Sequence, residues 1–290
     1  MNITAKTQKV GLLGWPLGHS LSPVMQNAAF AASDLNYVYL PLPVQPELLL
    51  QAVEGIKALG FVGANVTIPH KVTIMSYLDE IDTSARLVGA VNTIVIKEGR
   101  LIGYNTDAAG YMSALHLAGV EITGRKAVIL GAGGAARAVV AGLITAQIGE
   151  VTIGARQNAQ AGDAANLFKV SNVLVRGIAW DAPEFIDTLS QADIIVNTTP
   201  LGMYPNISQQ PPITWDLLKP SAVISDLIYN PLTTKFMVEA ARRGHIAVGG
   251  KDMLIEQGAL AFSLWTGCNA PRAVMKQAFY RGLKTLITKN

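Results

Sequence analysis

The stretch that most restricts this chain is VILGAGGAARAVVAGL, residues 128–143. An apolar, strand-like run enters Gly131, Gly133 and Ala136, spaced as G-x-G-x-x-A, and leaves as a helix-forming series of small residues. Each small residue has a separate physical task. The first permits the tight turn, the second lets backbone approach a pyrophosphate, and the third allows close packing of helix on strand. The helix N-terminus then presents N–H groups to the phosphates. The context is right for a dinucleotide-binding turn, and that turn belongs in a parallel α/β sheet.

The rest of the chain agrees with such a sheet. Short β-rich runs recur at 9–14, 37–44, 63–68, 92–96 and 101–105, then at 127–132, 150–155, 172–178, 193–199, 222–229 and 246–250. Helical patterns such as SPVMQNAAFAAS and GAARAVVAGLITAQ lie between them. Strand–helix–strand repetition predicts a parallel α/β architecture. At 290 residues the chain is long enough for two domains. The expected division is 1–107 for the first domain, with the helical 251–290 packing back on it, and 108–250 for a doubly wound nucleotide domain.

The nucleotide turn raises the question of which dinucleotide. An NAD site places Asp or Glu at the end of the next strand to read the ribose. Here that end reads Ala155, Arg156, Gln157, and the first acid is Asp163. Arginine there offers a planar donor fork to a 2′-phosphate, so NADP is favoured, with NAD the alternative. A net charge of +3 suits a small anionic ligand. Its basic residues are scattered without interleaved aromatics, which argues against nucleic acid.

Other function classes fall away on composition. The single cysteine, Cys268, forms no internal disulfide or thiolate cluster, and it fits a reducing cytoplasm. It reads as a packed residue rather than a reactive one. The four histidines lack metal-ligand spacing, and His70 reads as a helix-start residue. No stretch suits a membrane span or a secretory signal. Patterns for acyl transfer or zinc hydrolysis are missing. Oligomeric state is left open, a homodimer included.

The first half carries the remaining polar groups. Ser22 precedes Pro23 and is suited to cap a helix. Ser20 has no such local explanation, and in an extended segment it shares a side with Ser22. In VNTIVIKEGRLIGYNTD a turn near Glu98–Gly99 pairs Asn92 with Asn105 and, if the strand continues, brings Asp107 to the same face. Asn65 and Thr67 end another strand. Pro69 fits a first helical turn, which puts Lys71 near a helix N-terminus, against the dipole. A lysine so placed, with a carboxylate partner, is suited to proton transfer.

Eight motifs in order resemble the shikimate dehydrogenase family, nearly end to end. They are HSLSP (19–23), NVTIPHK (65–71), GAVNTI (89–94), GYNTDAAG (103–110), GAGGAAR (131–137), NTTPLGM (197–203), DLIYNPLTT (226–234) and MLIEQGALAFSLWTG (253–267). The resemblance implies reversible NADP-linked reduction of 3-dehydroshikimate to shikimate, in aromatic amino-acid and chorismate biosynthesis. It implies a substrate-binding domain facing a Rossmann-type domain across a cleft. By motif, Lys71 and Asp107 form the catalytic pair. Ser20, Ser22, Thr67, Asn92, Tyr229 and Gln257 hold the substrate, with Asn65 nearby. Gly131, Gly133, Gly134 and Ala135 cradle the pyrophosphate, Arg156 faces the 2′-phosphate, and Leu227 and Gly250 line the nicotinamide pocket.

Two departures stand out. Where the family often has Asn-Arg-Thr, this chain keeps only Arg156. Where it commonly has glycine in the nicotinamide-side loop, this chain has Asp252. The alternatives are a quinate/shikimate dehydrogenase using NAD or NADP and, from another class, a catalytically silent protein that senses shikimate and nucleotide.

Overall fold

The computed structural model describes residues 3–289, so Met1, Asn2 and Asn290 of the expected domain ranges lie outside it. The chain forms two compact units: residues up to Thr106 with those from Ile255 onward, and Asp107–Leu254. The sequence places the divisions one residue later at the first crossing and four earlier at the second. The second division falls inside a helix, Gly250–Thr266, which runs without interruption from one unit into the other.

In the first unit the elements are β1 (Gln8–Gly14), α1 (Ser22–Ala32), β2 (Tyr37–Pro43), α2 (Leu49–Ala58), β3 (Phe61–Val66), β4 (Glu80–Ile81), α3 (Thr83–Val88), β5 (Thr93–Lys97) and β6 (Arg100–Tyr104). They make a mixed sheet in the order β2-β1-β3-β5-β6-β4. The apolar run of β1, with both faces covered, reads as a continuous rather than alternating strand. Its partner strands β2 and β3 are parallel, and β5 and β6 form the expected hairpin, antiparallel to β3. Glu98 and Gly99 both have positive φ, as a tight two-residue hairpin turn demands.

The second unit holds α4 (Asp107–Leu117), β7 (Lys126–Leu130), α5 (Gly134–Thr145), β8 (Glu150–Ala155), α6 (Asn158–Asn166), β9 (Leu174–Ala179), α7 (Pro183–Gln191), β10 (Ile194–Asn197), β11 (Val223–Asp226), α8 (Lys235–Arg242) and β12 (Ala247–Gly249). All six strands are parallel, ordered β12-β11-β10-β7-β8-β9. Numbered from β7, that is the doubly wound 3-2-1-4-5-6 arrangement, with its switch point between β7 and β10. The core here is Val128, Leu130, Phe185, Ile195, Ile224 and Phe236.

The helix that crosses between the units, α9 (Gly250–Thr266), is followed by α10 (Arg272–Lys289). Its latter part is fastened to the first unit by specific contacts. Phe262 stacks on Phe30 at 5.3 Å, Gln26 Nε2 donates to Gly258 O at 2.8 Å, and Trp265 Nε1 donates to Ile94 O at 2.9 Å. Gly63 has no side chain because the Trp265 indole and Ile94 O occupy that space. Burying two phenylalanines contributes about 1.5–3 kcal/mol each.

Candidate active site and dinucleotide site

Strand directions in the first unit collect the polar residues at one edge of the sheet. β1 and β3 run parallel, so Gly14 and Val66 end there together. β5 opposes β3, with Asn65 paired to Thr93, so β5 begins where β3 ends. β6 opposes β5, with Thr93 paired to Tyr104, so Asn105 and Thr106 arrive at the same edge. Ser20 and Ser22 follow β1, Thr67 and Lys71 follow β3, and Asn92 precedes β5. Four of these, Ser20, Ser22, Thr67 and Lys71, are half-buried, while Asn65, Asn92 and Gln257 are buried. Gln257 joins them from α9, accepting at 3.4 Å from Asn92 Nδ2.

Beneath this edge lies a neutral hydrogen-bond network. Asn65 Nδ2 donates to Asn92 O at 3.1 Å and to Thr93 Oγ1 at 3.0 Å, while its Oδ1 accepts from the Tyr39 hydroxyl at 2.8 Å. Asn92 Oδ1 accepts from Thr93 Oγ1 at 3.0 Å and from Thr106 N at 2.8 Å, and Asn92 Nδ2 donates to Thr106 Oγ1 at 2.9 Å. Both amide hydrogens of Asn65 are therefore committed within the protein. Its geometry is that of a residue holding Asn92 in place. Tyr39 is buried and its hydroxyl pKa is pushed up by burial, against a smaller opposing effect of a hydrogen bond with Ser22.

Several local expectations are corrected here. Ser22 is the first residue of α1, not its cap; the capping position is Leu21, in a helical rather than extended conformation. Ser20 does have a local role, since its Oγ accepts from Ser22 N at 3.3 Å. Lys71 does not begin an α-helix. The Ile68–Pro69 peptide is cis, residues 68–72 form turns, and only a five-residue 3₁₀ helix follows, Thr73–Tyr77. Lys71 therefore lies ahead of a short 3₁₀ helix and not at an α-helix N-terminus. What places it is backbone pairing: Val91 N donates to Lys71 O at 2.8 Å, beside Asn92. β6 stops at Tyr104, so Asp107 is not a strand residue facing Asn92. It is the buried first residue of α4, and Thr106 takes the position beside Asn92. His70 is a buried core residue with Nε2 at 2.8 Å from Val44 O, and Cys268 is exposed.

The second unit builds the glycine turn. Gly131 has φ +112°, and a Cβ there would sit 2.7 Å from Thr198 Oγ1, so only glycine fits. Gly133 is the N-cap of α5 and Gly134 its first residue, and nothing lies within 4 Å of where their side chains would be. Ala136 is fully buried against the sheet. The open backbone at a twelve-residue helix N-terminus fits a pyrophosphate, and Ala135 lies in the same first turn. Arg156 is exposed in the bend after β8, with Gln157 at the cap of α6 and Asp163 further along that helix. An arginine at that place has a planar donor fork suited to a phosphate.

Leu227, Tyr229 and Gly250 lie together beyond β11 and β12. A side chain on Gly250 would run into Leu227 O, and Gly250 N donates to Ile228 O at 3.2 Å. Tyr229 has its phenol pKa pushed up by burial. Asp252 sits in the first turn of α9, 3.5 Å from Lys251, rather than in a loop; an acid there favours the helix dipole. Sequence reasoning assigned no role to Tyr39, Thr93, Thr106, Asn197, Asp226 or Thr234. Asn197 and Asp226 could have been found as polar residues that end apolar strand runs.

Among the described residues no group of His, Cys, Asp and Glu could hold a metal ion, and no helix is long and apolar enough to cross a membrane.

Comparison with known proteins adds the following. Residues 12–94 match the family model of the shikimate dehydrogenase substrate-binding domain, and 250–278 match that of the shikimate 5′-dehydrogenase C-terminal domain. A shikimate dehydrogenase (NADP(+)) of Methanopyrus kandleri is 46% identical, covering 98% of this chain and 99% of that one. A crystal structure of a shikimate dehydrogenase in complex with NADP+ superposes with TM-score 0.89 at 44% identity, over 97% of this chain and 98% of that one. A ligand-free 5-ketofructose reductase of Gluconobacter sp. strain CHM43 has TM-score 0.86 at 33% identity, over 96% and 99%.

Proposed function

Because the chain belongs to the shikimate dehydrogenase family, we propose that it interconverts 3-dehydroshikimate and shikimate with NADP(H), using Lys71 and Asp107 for proton transfer. The observation that carries the reading is the single edge at which Ser20, Ser22, Thr67, Lys71 and Asn92 converge. That edge belongs to the unit whose sequence matches the substrate-binding family model. In this reading the first unit supplies most of the substrate-binding groups and the second binds the dinucleotide.

NADPH supplies the hydride when bound. In reduction, Lys71 Nζ gives its proton to the oxygen of the reacting carbonyl as that oxygen becomes an alkoxide, and in oxidation it takes the proton back. Asp107 holds the lysine and a substrate hydroxyl in register. Ser20, Ser22, Thr67, Asn92, Tyr229 and Gln257 bind the hydroxyls and carboxylate. Asn65, with both its N–H groups used internally, acts by fixing Asn92 and Thr93. Gly131, Gly133, Gly134 and Ala135 take the pyrophosphate and Arg156 the 2′-phosphate. Leu227 and Gly250 wall the nicotinamide end.

The test is steady-state kinetics on the unaltered chain with shikimate and quinate against NADP+ and NAD+, and with 5-ketofructose against NADPH. We expect the highest kcat/KM with shikimate and NADP+. A higher value for quinate with NAD+, or for 5-ketofructose, would replace the substrate assignment. Binding of shikimate and NADP+ without turnover would replace the enzymatic one with a sensing role.

A further inference from the structure

β10 and β11 are adjacent parallel strands, and each ends on a polar residue with no solvent exposure, Asn197 opposite Asp226. Such residues persist only if their hydrogen bonds are made. Here they are made almost entirely to the chain that leaves the strands. Asp226 Oδ1 accepts from Ile228 N at 3.1 Å and from Asn197 Nδ2 at 3.1 Å. Its Oδ2 accepts from Thr234 Oγ1 at 2.6 Å, a short bond of the kind an ionised acceptor makes. Thr234 also caps α8, accepting from Met237 N at 3.3 Å.

Asn197 completes the bracket. Its Oδ1 accepts from Thr199 N at 3.0 Å and Thr199 Oγ1 at 2.7 Å, its Nδ2 donates to Leu201 O at 3.3 Å, and its backbone O accepts from Leu227 N at 3.0 Å. Both loops beyond the sheet are thereby tied to one carboxylate–amide pair. Leu227 N, Ile228 N and Ile228 O are each held, the last by Gly250 N at 3.2 Å. Leu227 O in turn fills the space where Gly250 lacks a side chain. No part of the proposed chemistry calls on Asp226, Asn197 or Thr234. A carboxylate placed without solvent contact, beside a segment assigned to the nicotinamide end, calls for an account of its own.

We propose that Asp226, bracketed by Asn197 and Thr234, is a positioning residue: it fixes the Leu227–Tyr229 segment so that the nicotinamide half of the dinucleotide is bound in a reactive pose. The assignment rests on the dehydrogenase reading above. It separates the two halves of the cofactor site. The glycine turn and Arg156, assigned to the phosphates, follow β7 and β8, whereas Asp226 and Thr234 tie down the chain beyond β11.

The experiment compares the unaltered chain with Thr234→Val, Thr234→Ser and Asp226→Asn. It measures amide hydrogen exchange at Ile228 in the ligand-free protein, affinities for NADP+ and for adenosine 2′,5′-bisphosphate, and kcat and KM. Losing one hydrogen bond to a charged acceptor corresponds to roughly tenfold. We expect Thr234→Val and Asp226→Asn to speed exchange at Ile228, to weaken NADP+ and lower kcat about tenfold each, and to leave the bisphosphate affinity within about twofold. Thr234→Ser restores all three. Equal weakening of both nucleotides, or unchanged exchange and kcat in Thr234→Val, overturns the assignment. If the unaltered chain neither binds NADP+ nor oxidises shikimate, the functional reading falls and this assignment with it. If the unaltered chain does both and Thr234→Val matches it, the assignment alone falls.

Discussion

Two buried polar brackets sit at strand ends, one in each unit, and they are built from different chemistry. In the first unit Asn65, Asn92, Thr93, Thr106 and Tyr39 form a network of neutral groups. In the second, Asn197 and Thr234 converge on a carboxylate, Asp226, whose pKa burial pushes up to about 6 against the hydrogen bonds that lower it. Both hold backbone in place beneath residues assigned to ligands. The neutral bracket does so without regard to pH. The charged one carries a cost, because desolvating a carboxylate disfavours the form that accepts its three bonds. A substrate edge can thus be made rigid by neutral amides and hydroxyls, whereas the second unit's loops are gathered on a group whose pKa is pushed up to about 6.

The largest expected effect tests where the chemistry lies. Lys71→Ala lowers kcat by about 10²–10⁴-fold, the usual contribution of general acid–base catalysis, while the dissociation constant of shikimate changes much less. Stopped-flow and calorimetry on the same preparation check it. Near-normal turnover would remove Lys71 from its role.

Next comes the pH dependence that the charged bracket alone should show. Asp226 binds a proton in the folded chain up to about pH 6 but in the unfolded chain only up to about pH 3.8. Between those values the folded state holds more protons, so this group's contribution to stability falls as pH rises, and is constant above. Over that interval the fall is about 3 kcal/mol. Asp82 and Asp193 act in the opposite sense. Their pKa values are lowered by hydrogen bonds from Ser84 and by Lys219 and the Lys126 N–H, against opposing burial, and their stabilisation is lost as pH falls. Urea titrations of the unaltered chain and Asp226→Asn between pH 4 and 7 separate these terms. The stability of the unaltered chain relative to Asp226→Asn should fall as pH rises through this range; a constant difference contradicts the raised pKa of Asp226.

The neutral bracket gives a pH-flat effect. Asn65→Ala strips partners from Tyr39, Thr93 and Asn92 O, and leaving such groups buried costs about 1–3 kcal/mol each before relaxation. The same titrations should show a loss that does not vary from pH 4 to 7. Smallest is the change expected on cofactor choice. Arg156→Met lowers the NADP+ to NAD+ ratio of kcat/KM about tenfold, the value of one charge-assisted contact, without affecting shikimate affinity.

How much of this was legible in the sequence differs between the same two regions. The glycine turn was read correctly because Gly131 and Ala136 are constrained by backbone and packing immediately around them. The hairpin register was legible too, since Glu98–Gly99 can occupy only a narrow class of turn. Lys71 was proposed from its type and neighbours and from a helix expected after Pro69, which gave way to turns and a short 3₁₀ segment. Asp107 was expected on a strand and begins a helix. The brackets themselves were not legible. Asn92 and Thr106 are fourteen residues apart, and Asn197 and Asp226 twenty-nine. Only the sheet register brings such pairs together, and each residue alone looks like ordinary loop polarity at a strand end.

A neutral bracket beneath the substrate edge and a charged bracket beside the nicotinamide segment divide the labour. Calorimetric titration of Thr234→Val with shikimate and with NADP+ tests this division most directly. The account predicts NADP+ binding weakened about tenfold, and shikimate affinity, to which the held segment contributes only Tyr229, changed much less. Equal weakening of both ligands, or of neither, would contradict it.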